Sequence, residues 1–137
     1  MPEESTTPDL VEALPSSLDS GDIDGFLSFL APDAVWDISR MDFGIFEGVA
    51  AIRAFLKEWL AAYDALDTET EELHDLGNGV LFGVFTQKAR LKGSTGDVQQ
   101  RSARVFLVAD GVIVRIMSYS EIDEARAAAG RLAESRE

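Results

Sequence analysis

Cysteine is missing from the chain. That excludes disulfide cross-links and thiolate chemistry and leaves the compartment open, with the cytoplasm as the default expectation. Histidine is nearly missing: His74, between Leu73 and Asp75, is the one imidazole. With no HxxxH spacing, no metal site is expected, and His74 reads as a surface or packing residue. Positive charge is scarce and comes late. No Lys or Arg precedes Arg40, and 12 basic residues face 25 acidic ones, for a net charge of −13. Such a surface repels phosphate backbones and anionic bilayers, so neither nucleic acid nor membrane is an expected partner. No apolar run approaches the roughly 18 residues of a membrane span. The opening Met-Pro-Glu-Glu-Ser-Thr-Thr has neither the basic nor the apolar segment of a secretory signal. A Gly-rich phosphate loop and a G-x-S-x-G nucleophile elbow are also absent.

What remains is an ordinary globular composition, 46% hydrophobic over 137 residues, enough for one domain with a real core. The dominant feature is a series of three β-rich runs, Val80–Leu91, Val98–Ala109 and Val112–Glu121. They are separated by Lys92–Asp97, rich in turn formers, and by the hairpin dipeptide Asp110-Gly111. A long antiparallel meander follows from that pattern. Asn78-Gly79 is a further hairpin turn joining Val80 to a weaker, edge-like strand over Thr68–Leu76.

Upstream, residues 1–7 read as frayed. Thr7-Pro8-Asp9 starts a short helix, with a capping hydroxyl, a proline at the first helical position and an acid near the dipole's positive end; Pro15 interrupts it. Asp22 caps a second helix, in which Ile23, Phe26, Leu27 and Leu30 share one face before Ala31-Pro32-Asp33 stops it. Ala34–Ile38 is a short strand, and Ser39–Gly48 is a loop carrying Phe43, Ile45 and Phe46. Val49–Tyr63 is the longest helix, with Ile52, Phe55, Leu56, Trp59, Leu60 and Tyr63 along one side. Residues 122–137 form an Ala- and Arg-rich helical tail. Helices segregated from a mostly antiparallel sheet make this an α+β domain over residues 1–137.

This order resembles the nuclear transport factor 2 fold superfamily, in particular its SnoaL-like and ketosteroid isomerase-like branches. The matching residues are Leu18-Asp19-Ser20-Gly21-Asp22-Ile23-Asp24-Gly25-Phe26, Leu30-Ala31-Pro32-Asp33-Ala34-Val35-Trp36, Phe46-Glu47-Gly48 running into Ile52-Arg53-Ala54-Phe55-Leu56, and Asp110-Gly111-Val112-Ile113-Val114-Arg115. The resemblance implies a curved sheet wrapped around N-terminal helices as a cone with an internal pocket, the cystatin-like arrangement. It also implies a homodimer packed through the outer face of the sheet. The fold hosts many functions, so it does not by itself name one.

On that frame, Asp37 lies close to the position where steroid isomerases carry their proton-transferring carboxylate. Desolvated beside Trp36 it would have a raised pKa and could act as a base. A gapless count from Gly21-Asp22, however, lands on Ile38, which in a strand faces the other way; an exposed strand-end acid is the alternative for Asp37. Arg104 shares a strand face with Ser102, Phe106 and Val108. By resemblance that face lines the cavity, where steroid isomerases place a hydrogen-bonding acid and polyketide cyclases a histidine. An arginine stays protonated and could hold a carboxylate, enolate or phenolate, or else pair with an acid on a neighbouring strand. Ser118 falls where epoxide hydrolases of this fold carry a catalytic acid, and Leu14 where steroid isomerases carry a tyrosine. Trp36, Phe43, Phe55, Trp59, Tyr63, Phe106 and Ser118 are the expected ligand contacts, with plain core packing as the alternative for the aromatics.

The expectation is a pocket for a small hydrophobic molecule. It serves either a cofactor-free isomerase, cyclase or dehydratase with Asp37 and Arg104 as its catalytic pair, or a non-catalytic binding or sequestering module. A dimer with a filled core is the third reading.

Overall fold

The computed structural model of the chain describes residues 14, 15, 19, 22–41, 43–93 and 95–135. The expected helix start at Thr7-Pro8-Asp9 lies outside them. Leu14 and Pro15 are helical, and Leu14 is fully buried. Helix α1 spans Ile23–Leu27 and is capped by Asp22, whose carboxylate accepts from the Gly25 N–H at 3.0 Å. Strand β1 spans Leu30–Asp37, and a 3-10 turn covers Ser39–Met41. Strand β2 (Ile45–Glu47) precedes helix α2 (Val49–Ala61). Strands β3 (Tyr63–Asp75), β4 (Val80–Leu91), β5 (Val98–Ala109) and β6 (Val112–Tyr119) follow, and helix α3 closes the series at Ile122–Ser135.

The six strands form one sheet in the order β2-β1-β6-β5-β4-β3. All pairs are antiparallel except β1 with β6. Register shifts at Leu30/Val35, Tyr63/Ala65, Thr70/Glu72 and Leu107/Val108 are the kind of irregularity that bends strands and curls a sheet. At the tight hairpin between β5 and β6, Asp110 and Gly111 both have positive φ, 54° and 81°, which the primed two-residue turn requires.

Several expected boundaries move: the second helix stops at Leu27 and the last strand at Tyr119. The strand read as Ala34–Ile38 begins at Leu30, because Pro32 sits where the β1–β6 register shifts and no ladder bond is needed from it. The loop over Ser39–Gly48 contains β2, pairing Trp36 with Phe46 and Asp37 with Ile45. Strand β3 starts at Tyr63 rather than Thr68, so Tyr63 leaves the helix for the sheet.

Strand alternation sorts the core into two layers. On the concave face, Leu81, Phe85, Phe106, Ile113 and Ile116 pack with Leu14, Phe26, Leu27, Ile52 and Leu56 from the helical side. On the convex face, Val80, Phe82, Val84, Ala103, Val105, Met117 and Tyr119 pack against the alanines of α3, Ala125, Ala129 and Ala133. Small side chains at i, i+4 and i+8 let that helix lie close to the strands. The Asn78 side-chain amide donates to the Ala133 carbonyl at 2.7 Å and fixes the helix end. Arg126 lies over Phe82, 4.8 Å from the ring centre. His74 stacks on the same ring and bonds Glu72 at 2.9 Å. Helix α3 thus occupies the outer surface of β4–β6. No helix among the described residues is long and apolar enough to cross a membrane.

Candidate functional site

Toward its open end the concave face is not filled. Two adjoining hollows lie between the sheet and the helices. The outer one, continuous with solvent, is lined by Ile23, Phe26, Leu56, Leu60 and Leu66, with Asp19, Asp22 and Thr68 among its polar residues. The inner one is lined by Ile38, Met41, Phe43, Phe55, Ser102 and Ser118. Trp36, Trp59, Gln87 and Arg104 line both and make the wall between them.

The aromatic side of this wall is a connected array. Trp36 packs edge-on against Phe26 and Phe55, with ring centres 5.8 and 5.9 Å apart. Phe55 stacks on Phe46 at 4.4 Å and on Trp59 at 6.2 Å. Phe43, 57% exposed, sits against Phe55 at the inner hollow. The Trp36 indole N–H donates to the Ser118 hydroxyl at 2.8 Å, which fixes the ring and leaves the serine O–H proton free to point elsewhere.

Among the described residues, Arg104 is the one charged side chain lining both hollows. It is 7% exposed. Its guanidinium lies over the Phe85 ring at 4.9 Å and the Trp36 ring at 5.2 Å. No hydrogen-bond acceptor and no carboxylate pairs with it among the described residues; the salt bridges of β5 and β6 are made by Arg101, to Glu71, and by Arg115, to Asp37. Burial pulls the Arg104 pKa down to about 10, still high enough to keep it charged at neutral pH. Two aromatic faces compensate part of the desolvation but accept no conventional hydrogen bond.

The register explains how this residue fits. Arg104 lies opposite Gly83 on β4 and Ser118 on β6. A Cβ at Gly83 would stand 2.7–2.8 Å from the Phe85 ring. The missing side chain is what lets Phe85 lean across to the guanidinium.

Asp37 is placed elsewhere. It pairs with Met117 in the β1–β6 register, so it shares the convex face with Arg115, Met117 and Tyr119, whereas Trp36 pairs with Ile116 on the concave face. Asp37 and Arg104 therefore do not converge. The acid is nonetheless buried, because its oxygens are occupied. Oδ1 accepts from the Ser39 hydroxyl at 2.6 Å and from the Ser39 N–H at 3.0 Å. Oδ2 lies 3.4 Å from Arg115 and 3.6 Å from Arg40. The Ser39 hydroxyl bond, then the Ser39 N–H and the two guanidinium groups, outweigh desolvation and hold the carboxyl below its usual range. That direction is opposite to the raised pKa expected beside Trp36. The residue that does face the inner hollow is Ile38, on which the gapless count fell; its side chain cannot carry a proton.

The other candidates divide. Trp36, Phe43, Phe55, Trp59 and Ser118 reach a hollow. Phe106 is fully buried against Phe85 and lines neither, and Tyr63 lies behind the wall, accepting from the Trp59 indole N–H at 3.3 Å. Ser102 lines the inner hollow, on the face shared with Arg104 as expected; Gln87 and Phe85 were not foreseen. Phe85 pairs with Ser102 and Gln87 with Gln100, so both follow from alternation once the β4–β5 register is fixed. Among the described residues no group of three or more His, Cys, Asp or Glu is placed to hold a metal ion.

The sequence profile of the SnoaL-like domain matches residues 11–116. The chain belongs to the SnoaL-like family. A search of curated proteins finds no match to this SnoaL-like chain. Among solved structures, it is similar to a Catenulispora acidiphila protein with a ketosteroid isomerase-like fold, in complex with trimethylamine; identity is 14%, coverage 91% of this chain and 95% of that one, TM-score 0.72. It is also similar to TerC co-crystallised with polyporic acid, at 19% identity, 93% and 97% coverage, TM-score 0.70. A candidate polyketide cyclase from Xanthomonas campestris pv. campestris matches at 22% identity, 89% and 95% coverage, TM-score 0.67. At these identities the likeness establishes the fold, which agrees with the α+β cone implied by the sequence.

Proposed function

We propose that this SnoaL-like protein binds a small, largely apolar, ring-containing molecule between its sheet and helices, as a binding or sequestering module. The observation that carries the reading is the pair of aromatic-walled hollows meeting at Trp36, Trp59, Gln87 and Arg104. Their mixed lining, mostly apolar with a few convergent polar groups, suits a small ring-containing ligand. Two similar structures were obtained with small molecules, trimethylamine and polyporic acid, which supports a ligand-accepting cone.

A cofactor-free isomerase, cyclase or dehydratase is the second reading, supported by the family and by the candidate polyketide cyclase relative. In it Arg104 would stabilise an enolate or phenolate. Binding is favoured over turnover because no acid–base partner faces Arg104 among the described residues. Asp37 lies on the other face, and the carboxylates at the outer hollow are engaged: Asp19 accepts from Thr70, and Asp22 caps α1. A homodimer through the sheet's outer face would have to form around α3 or displace it.

A thermal-shift screen over steroids, polyketide-like aromatics, small acids and small amines tests the proposal. At least one class should raise the melting temperature and be recovered unchanged after long incubation. Conversion of the ligand selects the enzyme reading, and no stabilising ligand in any class counts against the pocket altogether.

A further inference from the structure

A buried charge with no counter-ion is a costly thing for a small domain to keep. Yet the guanidinium of Arg104 is held there, clamped by Phe85 and Trp36. Its neighbours are polar groups with capacity to spare. The Ser118 hydroxyl uses its oxygen for Trp36 and retains its proton; the Ser102 hydroxyl and the Gln87 amide line the same inner wall. The nearest acids in the shared hollow, Asp19 and Asp22, are tied to Thr70 and to the Gly25 N–H rather than to Arg104.

We infer that Arg104 is an anion anchor, and that the natural ligand is a flat ring compound bearing one anionic oxygen group, a carboxylate or an ionised phenol or enol. The inference rests on the pocket reading above and narrows its ligand class. Guanidinium N–H groups form their strongest bonds to charged oxygens, and a low-dielectric wall magnifies the preference. The aromatic array supplies stacking for the ring, while Ser102 and Ser118 offer further donors to the same oxygens. The outer-hollow acids Asp19 and Asp22 act in the opposite sense, so the anionic end belongs at Arg104 and the neutral end toward solvent. A molecule with a second negative charge at that neutral end is disfavoured.

The test compares 2-naphthoate with the neutral isostere 2-naphthamide by isothermal titration calorimetry. Wild-type protein should bind the naphthoate about tenfold or more tightly, a margin typical of one charge-assisted contact. Arg104→Met should abolish the preference while still binding the amide, and Arg104→Lys should restore part of it, which separates loss of charge from loss of fold. A second arm uses 4-nitrophenol, whose phenolate absorbs in visible light. Bound to the wild type it should ionise at lower pH than when bound to Arg104→Met. Carboxylate preference without the phenol shift assigns the anchor to carboxylates; the shift without that preference assigns it to phenolates. Equal affinity for naphthoate and naphthamide together with no phenol shift, or a preference that survives Arg104→Met, overturns the inference and leaves the pocket standing. If neither naphthalene nor nitrophenol binds the wild type, the inference falls together with the pocket.

Discussion

The two faces of the sheet each bury a charge, and they treat it in opposite ways. On the convex face Asp37 is surrounded: a hydroxyl, an N–H and two guanidinium groups converge on its two oxygens. On the concave face the partners of Arg104 among the described residues are the π-faces of Phe85 and Trp36. The first arrangement is complete without any other molecule and makes sense as structure: it ties β1 and β6 to the turn after Asp37. The second, among the described residues, leaves the guanidinium without an oxygen partner, which a ligand can supply. The comparison teaches that burial and charge alone do not mark a functional residue in this fold; the state of the partners does.

The comparison can be sharpened within the concave face itself, where the largest effect is expected. Phe106 lies on the same strand face as Arg104 but deeper, fully buried and away from both hollows. Phe106→Ala should cost about 3–5 kcal/mol of stability through the cavity it leaves. Chemical denaturation measures the loss, and titration at a temperature where the variant remains folded should show ligand affinity little changed. A large loss of affinity with little loss of stability would move Phe106 into the site.

A smaller effect is expected at Asp37. Asp37→Asn keeps the shape but weakens the charge-assisted bonds, a loss of about 1–2 kcal/mol near neutral pH. The folded-state pKa is below the unfolded one, so this stability is fully present above the unfolded value and is lost as pH falls through the folded one. Denaturation midpoints of wild type and variant should therefore differ at pH 7 and approach each other below about pH 4. A constant gap across that range would mean that the ionised form is not what the convex face holds.

The smallest effect carries the opposite sign. Arg104→Met should leave unliganded stability unchanged or raise it by up to about 1 kcal/mol, since an uncompensated charge gives way to a thioether chain. A loss of several kcal/mol on thermal or urea unfolding would show Arg104 to be as structural as Asp37 and erase the contrast.

Much of this was legible in the residues. The meander strands β4 and β5 begin and end where the turn signals put them, because Asp-Gly, Asn-Gly and the Lys92–Asp97 stretch are chemically unambiguous. Helix α2 was legible from its apolar stripe. Strand β1 was cut short because Pro32 reads as a stop, and only the partner strand reveals a register shift that tolerates it. The cavity face of β5 was legible from Arg104 outward by alternation. Asp37 was not, since one residue of register decides the face and the counting argument already pointed to Ile38. Gln87 and Phe85 needed the β4–β5 register, which a turn of six residues does not set.

The bare backbone at Gly83 gives the hollow a built-in adjustment screw. One methyl there would meet the Phe85 ring at under 3 Å and the Leu73 side chain at 3.2 Å, forcing the ring off the guanidinium it now covers. A lineage drifting between glycine and alanine at this spot could thus retune what its cone accepts without altering any residue that touches the guest.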